Sequence, residues 1–447
     1  MKTLTKGNPA KVILSFAIPI MLGYIFQQLY AIADSKIVSN YVNSKALGAV
    51  GATTVVTNTI IGFINGLTQG FAIPVANCFG AGDTKKMRKY VGGSVILTGF
   101  TSVFLTVFAY IYIEDILRLL NTPEDIMKLA IEYVKVIILG IILTALYNIC
   151  ANMLRGVGDS TTPLICLIIS VLLNIGLDLL FVKVMEYGVK GAAIATVIAQ
   201  AVAAVFCFMC VILRFRNLLP QKGEWKVSAE MYKNLMTTGL SMGLMSCIVN
   251  IGTVVLQGAI NSLGTAIVTA HTAARKIFDI FSVTIFSIGI SMTTYSSQNM
   301  GAGKPERVKQ GVNQATIMVS AITTVLIAVC FIFGRPVFEW LTSSKDSEII
   351  DSAVMYTRIS IVFYYVLGPL FILRCTLQGM GRKVIPVLTS ALEMVLKILS
   401  SLLLVPALDY LGVSLTEPIS WCFMTLVLVI SYRKSIREEM SNKEHII

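Results

Sequence analysis

Twelve apolar runs of about twenty residues, the length needed to cross the hydrocarbon core of a bilayer, follow one another along this chain. Charged residues make up only 13% of the sequence, whereas soluble domains carry about a quarter. The runs lie near residues 12–33, 46–75, 91–113, 129–153, 162–183, 190–213, 234–258, 265–294, 312–333, 352–375, 384–406 and 411–431. The sequence therefore predicts an all-α integral membrane protein with twelve transmembrane helices.

Two glycine motifs occur once in each half of the chain. F-G-A-G-D at 79–83 is matched by M-G-A-G-K at 300–304, an offset of 221 residues. R-G-V-G-D-S-T-T-P at 155–163 is matched by Q-G-M-G-R-K-V-I-P at 378–386, an offset of 223 residues. Both offsets are about half of the 447 residues. A duplicated membrane bundle is typical of transporters whose substrate site lies between the halves.

The duplication predicts the domain organisation. We expect an N-lobe at residues 1–216 with six helices, a cytoplasmic linker at 217–233, and a C-lobe at 234–447 with six more. Because each half contains an even number of spans, both halves enter the membrane from the same side. The two lobes should therefore be related by a pseudo-two-fold axis along the membrane normal.

The charges of the loops predict the orientation. One set of loops, on the side of both termini, is rich in Lys and Arg, whereas the opposite loops are acidic or mixed and include Glu114, Asp115, Asp346, Asp409 and Glu417. Positively charged loops stay on the cytoplasmic side, so we expect a multi-pass protein of the cytoplasmic (inner) membrane with both termini in the cytoplasm. The net charge of +12 is then a topology signal, and no nucleic-acid partner is expected.

Carboxylates within apolar runs are candidate functional groups, because each costs at least about 2.5 kcal/mol in the hydrocarbon region. Asp34 follows the first run and Asp178 lies deep in the fifth, with Asn174 four residues earlier on the same helical face. If Asp34 meets Asp178, one of them must hold a proton or a cation must sit between them. Asp34 could instead be a solvated residue at the outer end of its span.

Two further pairs at helical spacing lie in the second half. Glu393 and Lys397 are four residues apart in the eleventh run, and His271 and Arg275 are four apart in the eighth. The first pair is either a structural ion pair that locks the C-lobe or a contact for substrate or coupling ion. A neutral His271 could relay protons or simply bond a neighbour.

The chain resembles the MATE (multidrug and toxic compound extrusion) family from Pro9 to Arg433. The resemblance is carried by A-I-P-I-M-L-G-Y-I-F-Q-Q-L-Y-A-I-A-D (17–34), F-G-A-G-D (79–83), R-G-V-G-D-S-T-T-P (155–163), N-I-G-L-D (174–178) and M-G-A-G-K (300–304). It implies twelve helices in two lobes and export of organic compounds driven by inward H⁺ or Na⁺.

The resemblance also implies site residues. In the DinF-like branch, the coupling residues fall on Asp34, Asn174, Asp178 and Thr196, which would hold H⁺ or Na⁺ with no other cofactor. Supporting polar positions of the N-lobe fall on Gln27, Tyr30 and Asn148. The branch with a C-lobe cation site carries carboxylates in spans seven and ten, and this chain has none there. That departure favours coupling in the N-lobe.

We therefore expect a secondary active antiporter, not an enzyme, that works as a monomer. It would export cationic or amphipathic small organic compounds in exchange for H⁺ or Na⁺. A lipid-linked oligosaccharide flippase of the same superfamily is the alternative, because its phosphate ligands suit intramembrane cations such as Arg275, Arg358, Arg374 and Lys397. An integral-membrane enzyme such as a prenyl transferase is a remote alternative, since no D-D or D-x-x-x-D cluster lies near a cytoplasmic span end.

Overall fold

The computed structural model describes residues 3–42, 44–342 and 346–444, and these residues form an all-helical protein. Helices suit this apolar composition. Lipid offers the backbone no hydrogen-bond partners, so the N–H and C=O groups of each span must bond to one another. The α-helices of the described chain are α1 Pro9–Tyr41, α2 Ser44–Ala81, α3 Thr84–Leu119, α4 Glu124–Leu139, α5 Ile141–Gly156, α6 Thr161–Asp178, α7 Gly188–Arg214, α8 Ala229–Asn261, α9 Thr265–Gly301, α10 Pro305–Thr342, α11 Ser347–Val362, α12 Tyr364–Gly379 and α13 Val384–Glu444.

These helices supply the twelve predicted spans. Nine helices of the described residues are long and apolar enough to cross a bilayer. Two more spans are bent pairs, α4 with α5 at 43° and α11 with α12 at 52°. The twelfth comes from α13, which contains a non-helical residue, Asp409, with φ 49°. At about 1.5 Å per residue, an unbroken α13 would be far longer than the roughly 30 Å hydrocarbon core, so it provides two spans. The prediction of twelve helices is confirmed.

The duplicated glycine motifs form the same turn four times. Gly82, Gly158, Gly303 and Gly381 all have positive φ, between 66° and 86°. In each turn the glycine N–H donates to the carbonyl three residues back, and the next N–H donates to the carbonyl five residues back. This is the Schellman ending of a helix, in which glycine takes the left-handed conformation that other residues adopt at a cost. The sequence repeat is therefore a repeat of helix endings.

Contacts divide the described chain into two compact units. The N-unit contains Leu22–Gly243, and the C-unit contains Leu4–Met21 together with the described chain from Leu244 onward. These boundaries differ from those of the predicted lobes, since the start of α1 belongs to the C-unit and the start of α8 to the N-unit. The lobe boundaries and the symmetry axis stay predictions.

The predicted linker is an ordered part of the N-unit. α8 begins within it at Ala229, and Glu224 is only 6% exposed. Arg88, in the first turns of α3, donates two hydrogen bonds to the Glu224 carboxylate, at 2.8 and 3.0 Å. This bidentate geometry is the strong form of an Arg–carboxylate pair, and it holds the segment against α3.

Candidate cation-coupling site and a buried charge network

The two acidic residues of the N-unit lie side by side. Asp34 on α1 is 9% exposed and Asp178, the last residue of α6, is fully buried. Asp34 is thus buried and not solvated, which removes the alternative interpretation. The two carboxyl groups are close enough to interact, and two buried carboxyl groups at such a separation cannot both stay ionised at low cost. In the described chain, Asp34 Oδ1 and Asp178 Oδ1 have no hydrogen-bond partner.

Amide and hydroxyl groups surround this pair. The amide of Asn174 is best satisfied with its nitrogen toward Asp178, where it donates to Oδ2 at 2.8 Å while its oxygen accepts from the Thr196 backbone N–H at 3.2 Å. Thr196 Oγ1 on α7 lies 3.0 Å from Tyr30 Oη on α1. Four predicted residues, Asp34, Asn174, Asp178 and Thr196, are therefore together, and Tyr30 joins them.

The chain has an unusual backbone next to Asp178. A six-residue π-helix, Leu179–Val184, follows directly after it. Such turns are rare and occur frequently at functional sites. Tyr133 on α4 lies within electrostatic range of Asp34, Tyr30 and Asp178. Neither the π-helix nor Tyr133 was predicted, because nothing in the local sequence marks them.

The structure does not bring the remaining two N-lobe candidates into this group. Gln27 is exposed on α1, and Asn148 is half-buried on α5. In the part of the chain that the structure describes, neither side chain hydrogen-bonds to Asp34 or Asp178. Among the same residues, no group of three or more His, Cys, Asp or Glu side chains is placed to hold a metal ion. An ion at this site would therefore bind mainly to the two carboxyl groups.

The C-unit contains a second buried polar cluster, which we call the charge network. Lys397 Nζ lies 3.0 Å from Glu393 and 3.7 Å from Glu417. Arg275 Nη1 donates to both oxygens of Glu417, at 2.9 and 3.0 Å, and Arg374 Nη2 lies 3.5 Å from Glu393. The spacing of Glu393 and Lys397 therefore produces one contact in a larger network.

One expectation for this region is wrong. Glu417 was assigned to an outer loop, but it is 7% exposed within α13 and pairs with Arg275. Its position inside the apolar run 411–431 was the signal that could have placed it in the membrane. His271 Nδ1 lies 3.3 Å from Tyr410 Oη, as expected of a histidine that bonds a neighbour, while Arg275 faces Glu417.

Comparison with known proteins agrees with this architecture. A family model described as MatE matches residues 19–180 and again 241–403, so the two matches follow the duplication. The chain is 28% identical to the "Probable multidrug resistance protein YpnP" of Bacillus subtilis, covering 84% of each chain. It is 27% identical to the "Probable multidrug resistance protein NorM" of Thermotoga maritima, covering 85% of this chain and 82% of that one.

A solved structure described as MATE in the bent conformation has the same fold. It superposes with a TM-score of 0.92 at 24% identity and covers 99% of this chain and 98% of its own. Members of this family are multi-pass membrane transporters and not enzymes. Because the family model covers both halves of the sequence, this chain belongs to the MATE family.

Proposed function

We propose that this protein is a secondary active antiporter that exports cationic or amphipathic organic compounds in exchange for a cation. The carboxyl pair of Asp34 and Asp178, which is buried in the N-unit, carries the proposal. The names of the relatives YpnP and NorM support the substrate class, since both are named as multidrug resistance proteins. A buried pair of this kind is costly in a membrane, so a function explains why the chain keeps it.

The coupling works through charge. With Asp34 or Asp178 ionised, the N-unit attracts a cationic compound, and an entering cation neutralises the pair and removes that attraction. The compound and the coupling ion need not touch, because they only need opposite preferences for one conformation of the protein. The Asn174 amide and the Tyr30 and Thr196 hydroxyls orient the pair.

Of the two coupling ions, we propose H⁺. Two buried carboxyl groups that interact, as Asp34 and Asp178 do, cannot both stay ionised at low cost, and a proton on one of them relieves the repulsion. The site also offers a hard cation few oxygen atoms, because the Asn174 oxygen already accepts from the Thr196 N–H. Na⁺ would depend mainly on the carboxyl oxygens, of which Asp34 Oδ1 and Asp178 Oδ1 have no hydrogen-bond partner in the described chain.

Transport into proteoliposomes tests this proposal. Purified protein is reconstituted, and uptake of a fluorescent organic cation is measured with a proton gradient and a sodium gradient imposed separately. We expect the proton gradient to drive uptake and Asp34→Asn and Asp178→Asn to abolish it. Asp115→Asn, an exposed aspartate near the end of α3, is the matched control and should transport normally. Undiminished transport by both site variants would overturn the proposal.

The surroundings of the protein follow from the same proposal. We place it in the cytoplasmic membrane as a monomer, with both termini in the cytoplasm according to the loop charges. A lipid-linked oligosaccharide flippase remains the second candidate, because the C-unit buries Arg374 and Lys397, and such cations suit phosphate groups. Drug-resistance and lipid-flipping assays in a host without its own pumps distinguish the two.

A further inference from the structure

The charge network borders a cavity inside the C-unit. Its volume is about 120 Å³. Its lining includes the charged side chains of Arg275, Arg374, Glu393, Lys397 and Glu417 and the aromatic rings of Phe278, Phe286, Phe371 and Trp421. Thr253, an exposed residue of α8, also lines the cavity. The cavity therefore combines charged and aromatic lining with an opening to the surface of the C-unit.

Arg374 is the one member of the network with unused donors at this cavity. Its side chain is 5% exposed, yet Nε and Nη2 have no hydrogen-bond partner in the described chain. Its ion pair with Glu393 is long, at 3.5 Å, and its guanidinium lies over the Phe371 ring at 5.6 Å. Buried guanidinium donors without acceptors are costly, which points to an acceptor from outside the protein.

The shorter contacts of the network's carboxylates are to groups other than Arg374. Glu417 accepts two hydrogen bonds from Arg275 and a third from Tyr356 Oη at 3.1 Å. Glu393 Oε1 forms an ion pair with Lys397 Nζ at 3.0 Å. Asp279 lies 3.8 Å from Arg275 on the half-exposed side of α9 and is not part of the cavity wall. The wall of the cavity thus carries three cations and two carboxylates, with the unmatched positive charge at Arg374.

From these contacts we propose that the cavity binds the anionic end of an organic molecule, a carboxylate or phosphate group on a ring-bearing apolar body. The fork of Arg374 matches the two oxygens of such a group, and Lys397 adds a second cation. The rings of Phe278, Phe286 and Trp421 contact the apolar body. A cavity of about 150 Å³ accepts benzene, so a volume of about 120 Å³ takes the acidic group and part of a ring, and the rest of the molecule extends into the opening.

The inference is independent of the proposed coupling at Asp34 and Asp178. It assigns a binding site for anions in the C-unit and extends the substrates from cations to molecules that also carry an acidic group. Equilibrium binding tests it without any ion gradient. Failure of this experiment would leave the transport proposal standing, and failure of the transport experiment would leave this one standing.

Trp421 provides the signal for the experiment. The chain has 3 tryptophans, and the other two, Trp225 and Trp340, are 48% and 80% exposed. Replacing these two by Phe leaves Trp421 as the reporter in the full chain. The protein is placed in nanodiscs of phosphatidylcholine, and its fluorescence is titrated with benzoate, phenyl phosphate, benzylammonium and benzyl alcohol at constant ionic strength.

We expect both anions to bind at least tenfold more tightly than benzylammonium and benzyl alcohol. This ratio matches the free energy that one hydrogen bond to a charged group contributes. Arg374→Gln should weaken benzoate binding at least tenfold. Arg358→Gln, which removes the same charge outside the cavity wall, should leave it unchanged. If phosphatidylglycerol in the nanodisc competes with benzoate, a lipid headgroup also supplies the anion, which supports the site.

Equal affinity for benzoate and benzylammonium would overturn the inference, as would unchanged benzoate binding by a folded Arg374→Gln. The affinities of the four probes for the protein that retains Arg374 test the inference even if Arg374→Gln does not fold. Size-exclusion profiles and melting temperatures establish which variants are folded.

Discussion

Tyr30 Oη and Thr196 Oγ1 lie 3.0 Å apart, although 166 residues separate them in the chain. Tyr30 stands one helical turn before Asp34 on α1, and Thr196 on α7 also donates its backbone N–H to Asn174. This contact therefore connects the helix that carries Asp34 to the residues around Asp178. Under the proposed function we infer a positioning role for this contact, since neither hydroxyl has to bind the coupling ion.

Removal of this contact should slow transport without abolishing it. A single neutral hydrogen bond contributes about 1 kcal/mol, which is a roughly fivefold change in rate. We expect Tyr30→Phe and Thr196→Val each to lower the initial rate of proton-driven uptake by about that factor. The double variant should be no slower than either single one, because both remove the same bond. Multiplied losses in the double variant would contradict the assignment.

Loss of the Glu417 charge should destabilise the C-unit. The variant Glu417→Gln leaves Arg275 without the carboxylate that accepts its two hydrogen bonds, and breaking a buried pair typically costs about 3–5 kcal/mol. We expect a clearly lower melting temperature in detergent. In the Glu417→Gln protein, the additional change Arg275→Gln should lower the melting temperature much less than Arg275→Gln does in the parent protein. Additive losses in thermal unfolding would show that the two side chains do not interact.

Acid should remove the contribution of Glu224 to stability. The Arg88 side chain and the Gln221 backbone N–H donate to this carboxylate and lower its pKa below the ordinary value. A carboxyl group whose pKa is lowered by folding stabilises the protein above its unfolded pKa, about 4.3, and loses this contribution as the pH falls through the folded pKa. Glu224→Gln should therefore melt below the parent protein at pH 7, and the difference should shrink below about pH 4.3.

Two controls accompany this pH series. Glu230→Gln removes an exposed carboxylate and should leave the melting temperature unchanged at every pH. Arg88→Gln removes the other half of the pair and should give the same loss at neutral pH as Glu224→Gln. A difference between Glu224→Gln and the parent that persists at pH 3 would mean that packing, and not the ion pair, carries the effect.

A methyl group at Gly70 should separate two helices of the N-unit. A Cβ there would lie 2.6 Å from the Thr238 carbonyl oxygen and 2.7 Å from Gly239 Cα, and one at Gly66 would meet Met242 O at 2.6 Å. Helices α2 and α8 thus touch backbone to backbone, as small residues four apart allow. We expect Gly70→Ala to lower the melting temperature in detergent.

The matched control for Gly70→Ala is Gly99→Ala on α3. A Cβ at Gly99 meets nothing within 4 Å, so this change should be neutral or slightly stabilising, because Ala favours a helix by up to about 1 kcal/mol over Gly. Equal melting temperatures for the two variants would show that α2 and α8 can separate at no cost.

The prediction of individual polar contacts was uneven. Asp34 and Asp178 were singled out from their position relative to apolar runs and from the resemblance to the family, and the structure places them near each other; their role in coupling stays a prediction. Glu417 was missed as a membrane residue, although it too is a carboxylate inside an apolar run. Spacing along one helix shows which side chains share a face, but a partner on another helix can be closer and more strongly charged, as Glu417 is for Arg275.

The amino-acid sequence by itself determined the helices of this protein and their endings. Hydrophobic length and left-handed glycines are local properties, so the twelve spans and the four turns at Gly82, Gly158, Gly303 and Gly381 could be predicted. Only the tertiary structure decided which buried charges meet and that Arg374 keeps unused donors in a cavity. Those contacts depend on how each helix is rotated and packed against its neighbours, and no short stretch of sequence records that geometry.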